Sequence, residues 1–142
     1  MANILLNKIR VEGTNEDVKL FTLFIISNTK ENRFSHSGLE FEVSKINGKC
    51  IFIYSYNANA GEQIEKLSLI FPNLVFYCSC ATFEDVRALF TSKEVLNNGK
   101  IIEANFPQDE SLEAYRIFFE IYPDCEENYI LTDDKYIYNW SQ

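Results

Sequence analysis

The sequence predicts an α+β domain in which one antiparallel sheet carries two helices on a single face. Three observations lead there. Four segments read as strands, either alternating at period two or apolar on both faces, the stretches after Gly13 and Gly61 space apolar residues by three and four, and Asn47-Gly48 signals a hairpin. At 142 residues the chain has the size of a single domain, 1–142, and its 46% hydrophobic and 15% aromatic content excludes disorder as a global description.

Ile4 to Glu12 alternates around β-branched residues and runs into a turn at Gly13, which reads as a strand. Thr14 or Asn15 caps a helix near 15–28, Glu16 and Asp17 suit its first turn, and Val18, Phe21 and Ile25 with Leu20 and Phe24 form its apolar stripe. The polar run Asn28 to Gly38 reads as a loop. Leu39, Phe41 and Val43 alternate with Glu40, Glu42 and Ser44 in a second strand. After Asn47-Gly48 the chain returns through Cys50 to Tyr56, apolar on both faces and therefore central. Ile64, Leu67 and Phe71 share one side of a helix near 61–71, with Phe71 pointing inward, and Pro72-Asn73 stops it. Leu74 to Cys80 is the fourth strand. Strand, helix, strand, strand, helix, strand is the split βαβ, or ferredoxin-like, order over residues 1–80, for which two right-handed crossovers give strand order 4-1-3-2.

Residues 81–106 extend this unit. Val86–Leu96 and Lys100–Phe106 flank the turn residues Asn97-Asn98-Gly99 of a hairpin, and a helix over Glu84–Val95 is the competing reading, because Val86, Leu89 and Phe90 also fit helical spacing. Residues 107–142 hold a third helix with Leu112, Tyr115, Phe119 and Tyr122 on its apolar side, ended by Pro123. Tyr129–Trp140 then forms one more strand or an edge hairpin through Asp133-Asp134.

The chemistry-bearing motifs are sparse. Cys50, Cys78, Cys80 and Cys125 form no CxxC, and the single histidine, His36, sits far off in a polar stretch, so buried reduced thiols are the expected state and no metal is expected. No G-x-x-x-x-G-K-[ST] loop, GxGxxG or G-x-S-x-G elbow occurs, so no cofactor and no catalytic residue is expected. The first residues lack a basic stretch followed by a long apolar one, and no apolar run approaches the roughly 20 residues of a membrane span. A cytoplasmic protein is the expectation.

The opening Met1-Ala2-Asn3, Asn7 and Gly13, the stretch Ile64-x-x-Leu67-Ser68-x-x-Phe71-Pro72-Asn73-Leu74-x-Phe76, and the turn at Asn98-Gly99 together resemble an uncharacterised ferredoxin-like family carried by phages, plasmids and conjugative elements, over about residues 1–106. This chain departs from the family's pattern. Ile4 stands near where the family places a tryptophan, and Tyr56-Asn57-Ala58-Asn59 replaces a tryptophan followed by prolines. The resemblance implies a fold and a mobile-element origin. It brings no catalytic residue to transfer.

Charge is distributed unevenly. Lys plus Arg is 13 against 21 acids, for a net −8. From Glu103 onward ten acids face only Arg116 and Lys135, so the last forty residues carry that whole net charge. Such a surface repels phosphate backbones and steers toward basic partners. The leading expectation is a non-enzymatic interaction protein that binds a basic protein partner through Asp109, Glu110, Glu113, Glu120, Glu126, Glu127, Asp133 and Asp134, an inhibitor imitating nucleic-acid charge being one version. Tyr115, Tyr122, Tyr129, Tyr136, Tyr138 and Trp140 would supply its contact area, and a solvated acidic face over an aromatic core is the plainer alternative. A second expectation is a small-molecule binder or enzyme using the open sheet face and the late hairpin, with Glu84 and Asp85 in a cleft. Direct nucleic-acid binding by the sheet, through Tyr54 and Tyr56 near Lys45 and Lys49, is opposed by the net charge.

The thiol reading has a direct check. The melting midpoint should be the same with and without EDTA, and with and without reductant. A large drop under either treatment would overturn it, since a bound metal or a crosslink stabilises the native state.

Overall fold

A computed structural model describes residues 4–48, 50–82 and 89–139. In chain order the elements are β1 (Ile4–Glu12), α1 (Asn15–Ser27), β2 (Thr29–Lys30), β3 (Arg33–His36), β4 (Leu39–Asn47), β5 (Cys50–Tyr56), α2 (Gly61–Ile70), β6 (Val75–Thr82), β7 (Thr91–Asn97), β8 (Lys100–Asn105), α3 (Leu112–Ile121), a 3-10 turn (Pro123–Asn128), β9 (Tyr129–Thr132) and β10 (Lys135–Tyr138). The fold is α+β. Among the described residues eight strands form one sheet in the order β2-β3-β4-β5-β1-β6-β7-β8, every neighbouring pair antiparallel, and β9 and β10 make a separate hairpin.

The central strand shows why the sheet is covered on both sides. Successive side chains of β1 point to opposite faces. Ile9 and Val11, both fully buried, join Phe21 and Ile25 of α1, Ile64 and Leu67 of α2, and Phe76 of β6 in one apolar cluster. On the opposite face Leu6, Phe52 and Ala81 join Ile117, Phe118 and Ile121 of α3 in a second. The Thr14 hydroxyl accepts from the Asp17 N–H at 3.1 Å and so caps α1, and acids fill the first turn. A Cβ at Gly13 would lie 2.5 Å from Leu74 Cδ2, so a larger residue there would have to displace the buried Leu74 side chain.

The structure differs from the sequence reading at three places. The run Asn28–Gly38 is not a loop: β2 and β3 form a hairpin across Glu31-Asn32, both at positive φ (54° and 63°). Phe34 and His36 point inward there, Phe34 fully buried and stacked on Phe41 at 4.4 Å, His36 against Phe24. Thr91–Asn97 is a strand and not part of a helix, with Asn98-Gly99 turning at φ 49° and 76°; residues 84–88 lie outside the described ones. Phe71 is half-buried, packed edge-on against Phe21 and Phe24 at 5.3 and 5.2 Å, whereas Phe76 is fully buried.

Phe76→Ala should therefore be the severe truncation, about 3–5 kcal/mol by urea unfolding, with Phe71→Ala losing roughly half as much. Equal losses would contradict this burial order.

Candidate functional site

The eight acids picked out above are all exposed, but they are not equivalent. The Ser111 hydroxyl accepts from the Ala114 N–H at 3.1 Å and caps α3, placing Asp109 and Glu110 in the turn before it, Glu110 at φ 63°. Glu113 accepts from Asn105 Nδ2 at 2.8 Å. Glu120 is turned toward the sheet, where it pairs with Lys93 Nζ at 2.9 Å and accepts from Ser79 Oγ at 3.2 Å. These two carboxylates, though exposed, also serve intrachain contacts. Glu126 and Glu127 lie on the 3-10 turn. Asp133 and Asp134 form the β9–β10 turn at φ 49° and 61°.

The aromatic residues of this segment are also placed differently. Helix α3 buries Ala114, Tyr115, Ile117, Phe118, Phe119 and Ile121, a wider stripe than its period suggested, because the sheet takes one side and the hairpin the other. Tyr115 meets Tyr129 and Tyr136 at 5.4 and 5.5 Å, and Phe119 meets the same two rings at 5.4 and 5.0 Å. Burial pushes the Tyr129 hydroxyl up to about 12. Tyr115, Tyr129 and Tyr136 are thus internal packing while Tyr138 stays exposed, and aliphatic residues face outward beside it: Ile130, Leu131 and Ile137 of the hairpin are about half exposed, at 49%, 53% and 52%. Trp140 lies outside the described residues, as do Glu84 and Asp85.

Helix α3 covers part of the face on which a ligand was expected, since it packs over β6, β7 and β1. A groove of about 540 Å³ lies elsewhere, between Glu42, Tyr54, Tyr56, Glu62 and Arg33. The Tyr56 hydroxyl donates to Glu42 Oε2 at 2.7 Å, and that carboxylate raises the phenol above its ordinary value. A groove of this size with carboxylates and tyrosine rings on its walls suits a cationic group.

A buried polar cluster holds α2 to the sheet. Asn7 donates to Ser55 Oγ at 2.8 Å and accepts from the Ala60 N–H at 3.0 Å. Asn59 Nδ2 donates to Glu94 Oε1 at 2.6 Å and to Ser92 Oγ at 3.1 Å. Glu94 is only 6% exposed, and burial raises its carboxyl above the ordinary range while the Asn59 bond opposes the shift. Burial likewise raises the Cys78 and Cys80 thiols, Cys80 to about 12, so neither is a thiolate at neutral pH. Among the described residues no group of three or more His, Cys, Asp or Glu is placed to hold a metal ion. No helix is long and apolar enough to cross a membrane, again among the described residues. The sequence reading missed Glu94, though Ser92, Glu94 and Leu96 share one side of the strand.

A carboxyl raised by folding contributes stability that is complete below its unfolded value, near 4.5, and is lost as pH rises through the higher folded value. Glu94→Gln removes the charge and keeps the carbonyl that Asn59 binds. Its stability relative to the parent should therefore rise between pH 4.5 and pH 7.5, read as the difference in urea midpoints; parallel pH profiles would contradict the burial of a charge at Glu94.

Compared with known proteins, the chain matches no family model, no curated protein and no solved structure.

Proposed function

We propose that the protein is a non-enzymatic interaction protein, of mobile-element origin as its resemblance implies, that binds a basic protein partner through the acidic outer surface of residues 107–139. One observation carries this reading. The hairpin exposes Ile130, Leu131 and Ile137, and its tip is Asp133-Asp134. Apolar residues bordered by charge is the anatomy of a protein interface, with the aliphatics supplying area and the acids supplying steering and specificity. Asp109, Glu110, Glu126 and Glu127 are exposed on the segments next to it in sequence. Imitation of nucleic-acid charge, and hence inhibition of a nucleic-acid-binding protein, is the specific form favoured by an excess of eight acids over bases from Glu103 onward. The order β4-β5-β1-β6, with α1 and α2 sharing one cluster, supports a ferredoxin-like reading of residues 1–80 inside the wider sheet. The groove beside Tyr56 favours a second reading, a binder of small cationic molecules.

A variant with Asp109, Glu110, Glu126, Glu127 and Asp133 changed to Lys separates these. Exposed acids add little to stability, so it should melt close to the parent. Basic proteins captured from lysate by the parent should elute with salt and be lost by the variant. Unchanged capture by a folded variant would refute the acidic-surface reading, and a thermal shift with a cationic small molecule that Glu62→Gln abolishes would favour the groove.

A further inference from the structure

On the sheet face that α3 covers in part, one register row crosses six strands. It runs Lys45 on β4, Phe52 on β5, Lys8 on β1, Ser79 on β6, Lys93 on β7 and Asn105 on β8. Residues opposed in an antiparallel ladder point to the same face, so the three lysines stand in line. Each is two strands from the next, about 10 Å. Arg10 stands on the same face one pleat away, with its guanidinium 4.3 Å from the Tyr77 ring centroid. Lys45 Nζ lies 4.7 Å from the Phe52 ring centroid. A cleft of about 100 Å³ opens between Lys8, Arg10, Tyr77, Ser79 and Lys93.

We propose that this lysine row binds the phosphate backbone of single-stranded nucleic acid. The net charge of −8 does not describe this surface, because residues 1–102 carry eleven bases and eleven acids and are neutral. Locally, Lys8, Arg10, Lys45 and Lys93 share this face with Glu12, paired with Arg10, with Glu120, paired with Lys93, and with Glu103 at the β8 end of the Arg10–Tyr77 row. Lys8 makes no ion pair among the described residues. The seat taken by Glu120 is already an anion site, formed by an ammonium and the Ser79 hydroxyl. A phosphate can replace that carboxylate with the same donors. Single strands are favoured over a duplex because the row lies on a sheet rather than on a ridge that enters a groove, and the Arg10–Tyr77 pair offers a planar surface for an unstacked base. An acidic peptide would engage the lysines without using that pair.

The test is fluorescence anisotropy of labelled oligothymidylate and oligouridylate of about 12 nucleotides with the full chain at low salt. Binding should weaken with salt at a log–log slope of about 2, for three phosphates on a single strand. The triple variant Lys8→Gln, Lys45→Gln, Lys93→Gln should lose that slope and bind about tenfold or more weakly. Glu120→Gln, which removes the internal competitor, should bind more tightly than the parent, while Glu16→Gln in the first turn of α1 should not. Should the triple variant fail to melt cooperatively, Lys45→Gln alone and the Glu120→Gln against Glu16→Gln comparison carry the same decision. No binding by the parent, unchanged binding by a folded triple variant, equal gains in both Glu→Gln variants, or capture of polyglutamate in place of the oligonucleotides would each overturn the proposal. The acidic-surface reading is separate, since none of its residues is altered in these lysine variants.

Discussion

Strand β1 pairs with β5 along one side and with β6 along the other, so the sheet can form only if both of its apolar faces are kept dry. Ile9 and Val11 are covered by α1 and α2, and Leu6 by α3. Burying side chains of this size contributes roughly 1.5–3 kcal/mol each, of the order of a small domain's whole net stability when several are exposed together. The last third of the chain is for that reason a layer of the fold. Its acids reach solvent because its aromatic residues are held between sheet and hairpin.

The same constraint sorts the polar groups. Those that point into the face under α1 and α2, such as Asn7, Asn59 and Glu94, have their hydrogen bonds met inside one cluster, as burial demands. On the other face α3 leaves part of the sheet uncovered, and there Lys45, Lys8 and Lys93 lie in register, with Glu120 of α3 pairing Lys93. Acidic and basic surfaces thus meet along the border of α3. A single net charge conceals both.

Much of this was legible in the sequence because the hydrophobic period is strong there. Ile4–Glu12 and Cys50–Tyr56 are strands within the same bounds, and Asn47-Gly48, Asn98-Gly99 and Asp133-Asp134 each stand at a hairpin. What escaped was carried by residues with no local signature. The β2–β3 hairpin turns on Glu31-Asn32, which lacks glycine, and only Phe34 marks its buried side. Glu120 reads as a solvated helix acid until the sheet supplies Lys93 and Ser79, and Glu94 reads as an outward charge until Asn59 arrives from 35 positions away. The lysine row spans β4 to β7, and no spacing within one strand announces it. These are products of register, which only the assembled sheet defines.

Native-state hydrogen exchange tests the dependence of the sheet on its third helix most directly. If α3 is a layer of the core, its amides from Tyr115 to Ile121 exchange through the same opening as those of β1 from Leu6 to Val11, with free energies within about 1 kcal/mol of each other. Opening of α3 at a free energy several kcal/mol lower, with β1 still protected, would contradict the account by showing that the sheet stands without its cover.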